Sequence, residues 1–405
     1  MQKKTVFLLV AVWALVLSGI TAATVILLSD DGASTQWIST EDSDMLERYA
    51  RLENIRRTIS ESFYREVDDD ALMQGAIDGM LAALQDPYTM YLSPEEMAQL
   101  DAETEGEYHG LGLVVHANAD GMLEVLRVYS GSPAEAAGVQ AEDCIIAIDH
   151  IPVNGKDTQR FSEAMNLLTG EDGSSVHLSL QRGIESLECT AIWGSVHIVN
   201  VTACMLEDAI GYIQITEFSG NAAKEFEAAI QYLNDANAKG VIVDLRNNPG
   251  GLLDQVAHMA DCILPEGCIV YTQNRAGGRE DLYSDNSCWD LPMVILMNKN
   301  SASASEIFAA AAQDYGRALV VGTQSYGKGI VQNLIEFEPD GAGLQFTEST
   351  YFTPNGRNIH GTGVTPDILS EDASGYKPGA QVPDAETDLQ LRDALSALHA
   401  QLGGA

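Results

Sequence analysis

Basic side chains are scarce: 22 Lys and Arg stand against 59 Asp and Glu in 405 residues, a formal net charge of −37. Phosphate binding needs clustered cations, so this balance argues strongly against nucleic acid as a partner. It argues less strongly against docking on anionic lipid. Cysteine is also sparse, and six residues do not make a disulfide scaffold. No C-x-x-C occurs, so a zinc knuckle or a thioredoxin-type site has no support. Cys262 and Cys268 flank a short loop that a disulfide would span; buried free thiols are the equally open alternative. There is no internal repeat and no G-x-S-x-G elbow, and the eight histidines are scattered without a partner pattern. Disorder is not indicated, because 45% of the residues are hydrophobic and apolar periodicity runs through most of the chain. The length predicts two or three folded units.

One long hydrophobic run is present. Lys3 and Lys4 precede an uncharged segment from Thr5 to Leu28, and no acidic residue occurs before Asp30. At 1.5 Å per residue this run spans about 36 Å, enough for a hydrocarbon core of about 30 Å. The expectation is an uncleaved transmembrane anchor at 5–28, although Ala22 and Ala23 also suit signal cleavage. The basic flank places residues 1–4 in the cytoplasm and the rest outside, tethered to the cell membrane by a single pass.

Downstream, residues 29–100 read as a stalk and helical region. Apolar residues recur at helical spacing through Leu52, Ile55, Ile59 and Phe63, then Leu72, Ala76, Met80 and Leu84. Ser93-Pro94-Glu95-Glu96 reads as a helix start with proline at the first position. Residues 101–195 carry short strands (113–115, 123–128, 144–148, 176–181) and two helices (132–138, stopped by Gly138, and 161–168), a small β-rich module. Residues 196–370 alternate strand and helix, which implies an α/β core with crossover connections. Residues 371–405 are polar apart from a weak helix near Leu389–Leu402.

Two segments hold candidate chemistry. Ser301-Ala302-Ser303-Ala304-Ser305-Glu306 opens a helix, and Ser303 and Glu306 have capping-box spacing. Gly322-Thr323-Gln324-Ser325-Tyr326-Gly327-Lys328-Gly329 places a lysine in a glycine-rich turn behind an apolar strand. The turn matches G-x-x-x-x-G-K, but Gly329 stands where a phosphate-binding loop needs Ser or Thr, and a strand follows instead of a helix. A serine–lysine dyad fits better. A lysine desolvated enough to be neutral can take a serine proton, and backbone N–H groups at a helix start or in the Asn248-Pro249-Gly250-Gly251 turn can hold an oxyanion.

These motifs together resemble the C-terminal processing peptidases, or tail-specific proteases. The resemblance runs from about residue 45 to 370, through GMLAALQDPYTMYLSPEE (79–96), GLGL (110–113), SPAEAAGV (132–139), GYIQITEFS (211–219), VDLRNNPGGLL (243–253), the serine cluster, the lysine turn and GTGVTPD (361–367). It implies a multidomain α/β protein: transmembrane helix, helical segment, PDZ domain at 101–195 and serine protease core at 196–370. It implies Ser303 as nucleophile, Lys328 as general base and Gln332 as the group orienting the lysine. The oxyanion hole would come from Ala304 and either Gly250 or Gly251. Gly110, Leu111, Gly112 and Leu113 would capture a substrate's terminal carboxylate. Asp314 matches an acidic position of open role, a structural cap being as good a reading. The expected activity is endoproteolysis of exported proteins near their C-termini, in a homodimer, with no cofactor or metal.

Overall fold

The computed structural model describes residues 40–118, 121–129, 131–153, 158–371 and 383–403. The expected anchor at 5–28 lies outside them. Among the described residues no helix is long and apolar enough to cross a membrane.

The chain divides after Met80 into two units. In the first, helices α1 (Thr40–Ser62) and α2 (Asp69–Ala82) are joined by Arg56, which pairs with Glu53 at 2.7 Å and with Asp69 at 2.5 Å. The periodic apolar residues do not find a core here, since Leu52, Ile55, Phe63 and Met80 are exposed and Ile59, Leu72 and Ala76 are half-buried.

The second unit opens with strand β1 (Met90–Leu92) and helix α3 (Pro94–Glu105). The predicted cap of α3 is formed on both sides: Ser93 N–H donates to Glu96 Oε2 at 2.8 Å, and Glu96 N–H donates to Ser93 Oγ at 3.2 Å. The β-rich module follows. Its elements are β2 (Glu107–Gly110), β3 (Leu113–Ala117), β4 (Leu123–Val128), α4 (Pro133–Ala136), β5 (Cys144–Ile148), β6 (Ile151–Pro152), α5 (Thr158–Leu167), β7 (Ser175–Arg182), β8 (Glu185–Ile192) and β9 (Gly194–His197). An antiparallel sheet runs β3-β4-β5-β7-β8, and β2 pairs with β9. Leu123, Val125, Ile145, Ile148, Leu178 and Leu180 form its core. Strand β8 escapes a reading of the sequence because one face lies in water and the apolar alternation is diluted to Leu187, Cys189 and Ala191.

The rest of the second unit contains β10 (Val201–Met205), β11 (Ile210–Ile215), α6 (Ala222–Asp235), β12 (Gly240–Asp244), α7 (Leu253–Asp261), β13 (Gly267–Asn274), β14 (Arg279–Ser284), β15 (Met293–Met297), α8 (Ala304–Asp314), β16 (Ala318–Gly322), β17 (Ile330–Phe337), β18 (Ala342–Phe352), β19 (Ile368–Leu369) and α9 (Leu389–Gly403). The central sheet has the order β10-β11-β12-β15-β16-β19 and is parallel apart from β10. Every residue of β11, β12 and β15 is buried, as a sheet covered on both faces requires. Side chains of α6, α7 and α8 cover one face, where Phe308 meets Phe218 and Phe226 edge-on or tilted.

Two features depart from the expectation. The polar tail ends in a core element: Leu391, Ala394 and Leu398 of α9 pack on Ile210, Ile242, Val294 and Leu296 and close the second face. Arg246, fully buried, pairs with Asp244 at 2.6 Å and with Asp388 at 2.8 Å, tying the start of α9 to the end of β12. The α/β alternation is also incomplete, because β1, β18, β13, β14 and β17 build a separate antiparallel sheet. β17 is the strand expected after the lysine turn, whereas β14 and β18 are polar and largely half-exposed and carry no clean apolar alternation.

Candidate active site

Helix α8 starts where the chain leaves β15, and the turn after β16 returns beside it. Ser303, the residue before α8, has φ 55° and ψ −116°. A non-glycine residue in that region costs about 1–3 kcal/mol and persists only where its surroundings hold it.

Two buried side chains do so, and both also hold the lysine turn. Glu306 Oε2 accepts the N–H of Ser303 and the N–H of Lys328, each at 2.8 Å. Its Oε1 accepts Ser325 Oγ at 2.5 Å and Gly327 N–H at 2.7 Å. The Tyr351 hydroxyl lies 3.1 Å from the Ser303 carbonyl and 2.7 Å from the Lys328 carbonyl. Burial pushes the Tyr351 phenol well above its ordinary value, which keeps it a donor. One residue thus clamps the two amides and the other the two carbonyls. Glu306 was legible in the sequence only as a helix cap, and Tyr351 carried no signal.

The flanking serines face inward. Ser301 Oγ donates to the Leu245 carbonyl at 2.8 Å, and Ser305 Oγ donates to the Asn248 carbonyl at 3.0 Å. Ser303, Ala304, Gly251, Lys328 and Gln332 instead line one cavity of about 380 Å³. Burial lowers the Lys328 pKa from 10.5, against an opposing pull from the Asp86 carboxylate. The ammonium nitrogen sits 4.7 Å from the centre of the Tyr88 ring. Gln332 follows a β-bulge at Val331/Gln332, a device that re-aims side chains. Its Nε2 is buried without a hydrogen-bond partner among the described residues.

The turn before α7 separates its two glycines. Gly250 N–H donates to Asn248 Oδ1 at 2.8 Å, and its carbonyl accepts Phe218 N–H at 2.7 Å. A Cβ at Gly250 would stand 2.7 Å from Ser303 Cβ, so glycine is needed for the close approach. Gly251 N–H has no partner among the described residues, and Gly251 lines the cavity with Ser303 and Ala304. The Ala304 N–H is one of the four donors a helix start leaves free.

Asp314 lies outside this cavity. Its carboxylate accepts Arg357 Nη2 at 2.5 Å and Asn355 N–H at 2.9 Å, which pins the turn after β18. Cys262 and Cys268 are free thiols, as are the other four cysteines. Cys262 Sγ points to the His258 carbonyl, whereas β13 carries Cys268 toward Asp281.

In the module, Gly110 closes β2, Leu111 is buried in the core and Leu113 opens β3. Gly112 has φ 76°, and a Cβ there would meet Ser132 Cβ at 2.2 Å, so only glycine fits. The carbonyls of Leu111 and Gly112 accept Ala134 N–H and Tyr129 N–H, both at 2.8 Å. Their own N–H groups have no partner among the described residues, and β3 pairs only with β4.

Comparison with known proteins fits this geometry. Residues 209–370 match the model of peptidase family S41, residues 124–182 match a PDZ domain, and residues 19–96 match the N-terminal domain of the activating protease CtpB. A carboxyl-terminal-processing protease of Synechocystis sp. is 41% identical over 306 residues, covering 73% of this chain and 70% of the relative. One from Picosynechococcus sp. is 38% identical over 333 residues, covering 80% and 78%. The solved photosystem II D1 C-terminal processing protease superposes with a TM-score of 0.50 at 27% identity, over 86% of this chain and 96% of that one. The chain, a multidomain α/β protein with a PDZ domain, therefore belongs to the carboxyl-terminal-processing proteases of peptidase family S41 and is a serine-type peptidase.

Proposed function

We propose that this peptidase cuts exported proteins near their C-termini with a Ser303–Lys328 dyad. The observation that carries the reading is the double clamp of Glu306 and Tyr351, which fixes the Ser303 and Lys328 backbones together at the wall of one cavity. Desolvated Lys328 is neutral in a larger fraction of molecules than a surface lysine, and its Nζ takes the Ser303 Oγ proton. The Oγ attacks the scissile carbonyl, and the Ala304 and Gly251 N–H groups hold the resulting oxyanion. On collapse Lys328 returns the proton to the leaving amine, and water then hydrolyses the acyl-enzyme. The orphan Gln332 amide is available to orient Lys328 once substrate enters.

The substrate tail adds a strand at the open edge of β3, and its carboxylate accepts the Leu111 and Gly112 N–H groups within the Gly110–Leu113 turn. Residues 5–28 anchor the chain by a single pass with the catalytic part outside, a reading supported by Lys3 and Lys4 ahead of the uncharged run. The exposed apolar side chains of α1 and α2 support homodimerisation.

Ser303→Ala tests the dyad. Cleavage of a peptide with an apolar C-terminus should fall by roughly 10⁴-fold or more, while the melting temperature holds. Retained turnover in that variant refutes the assignment.

A further inference from the structure

A second cluster of reactive side chains lies outside the Ser303 cavity. Glu227 projects from α6, His258 from α7, and Cys262 caps the C-terminal end of α7. His258 and Cys262 are four residues apart and share one helix face. Glu227 Oε1 lies 2.7 Å from His258 Nε2, and one ligand atom from each of the three residues lies within 4.8 Å of the other two. The three line a hollow of about 380 Å³ together with Asp261, Cys288 and Trp289. Trp289 closes it from one side, donating its backbone N–H to the Cys262 carbonyl and its indole N–H to Asn234 of α6.

We propose that Glu227, His258 and Cys262 bind a zinc-type divalent cation that staples α6 to α7. Tetrahedral zinc takes sulfur at about 2.3 Å and nitrogen or oxygen at about 2.0–2.2 Å. Ligand atoms already this close need only side-chain rotation to converge. One thiolate, one imidazole and one carboxylate suit zinc, whereas magnesium and calcium prefer all-oxygen shells. Cys288 lines the same hollow, but its Sγ is turned to the Ile263 carbonyl at 3.0 Å, so a solvent water would take the fourth position. The local field favours a cation, because the Glu227 and Asp261 carboxylates both line the hollow. Negative neighbours that oppose a bare thiolate attract a divalent ion, and binding then releases the thiol proton to solvent.

The site would brace the far end of α7, the helix that begins directly after Gly251. Its role is structural, because none of its ligands lines the Ser303 cavity.

The test uses the full chain, reduced and stripped with a chelator, then titrated with Zn²⁺ against a chromophoric competitor and separately with Co²⁺. One equivalent should bind, and Co²⁺ should give thiolate charge-transfer absorption with tetrahedral d–d bands. Cys262→Ser should remove the charge-transfer band. His258→Ala and Glu227→Gln should each weaken Zn²⁺ by roughly tenfold or more, while metal-free melting stays at the parent value. Cys204→Ser, a thiol outside this hollow, should change nothing. Binding left unchanged by all three ligand substitutions is adventitious and overturns the proposal. So does the absence of binding, or a Cys262–Cys288 disulfide in the unreduced protein.

Discussion

The Ser303 end of the parallel sheet and the Gly110–Leu113 turn of the PDZ domain are both glycine-assisted turns presenting backbone N–H groups, yet they are held in opposite ways. At Ser303 two buried side chains bind amides and carbonyls alike, so a strained serine is fixed from several sides. At the centre of Gly110–Leu113, between the two strands, the carbonyls of Leu111 and Gly112 are tied down and their N–H groups are not. The first arrangement suits a group that must not move during chemistry, and the second suits a surface completed by its ligand. The difference shows that where a backbone N–H points matters less than what fixes the rest of its peptide.

Removing the clamp is the strongest way to break this contrast. Glu306→Gln keeps the shape but replaces one acceptor oxygen with an amide that faces donors. Buried hydrogen bonds to a charged group contribute about 1.5–3 kcal/mol each, so denaturant melts should show a loss of at least that size, and turnover should fall with it. Affinity for a C-terminal peptide, measured by fluorescence anisotropy, should stay unchanged. Gly112→Ala sharpens the other side. It should raise KM for substrates with a free apolar tail by roughly tenfold, or about 1.4 kcal/mol, and leave kcat nearly intact. Steady-state kinetics on free and amidated tails would separate the two.

The smallest effect concerns pH. In the proposed dyad Lys328 acts as a base only when neutral, so kcat/KM should rise with pH through a pKa below 10.5. Asp86 pulls that pKa upward, so Asp86→Asn should move the rising limb to lower pH. A limb that stays put, or moves up, would separate Asp86 from the lysine.

Legibility in the sequence followed how local each feature is. Ser303 and Lys328 sit in short, patterned segments, a serine cluster at a helix start and a glycine-rich turn after a buried strand. Their candidacy was therefore readable from neighbours in the chain, and the structure brings both to one cavity. Tyr351 was not, because its position depends on β18, whose side chains LQFTEST are largely half-exposed and carry no clean alternation. Glu306 was visible as a cap, but its bonds to Ser325, Gly327 and Lys328 cross about twenty residues of chain. The two glycines of the Asn-Pro-Gly-Gly turn are chemically identical, and only the direction of each N–H separates them. Helix α9 was undervalued for a further reason: an isolated amphipathic stretch near a polar end gives no sign of the sheet face it covers.

The Arg246 bridge to Asp388 has a consequence in time. Arg246 stands at the mouth of the turn that carries Gly251, and its second carboxylate partner lies 142 residues later, at the foot of the last helix. Before α9 is made, Arg246 therefore has Asp244 as its carboxylate partner without Asp388, and the sheet face that α9 covers is bare. The turn that carries Gly251 is thus braced by a helix made long after it, which couples its rigidity to the docking of α9.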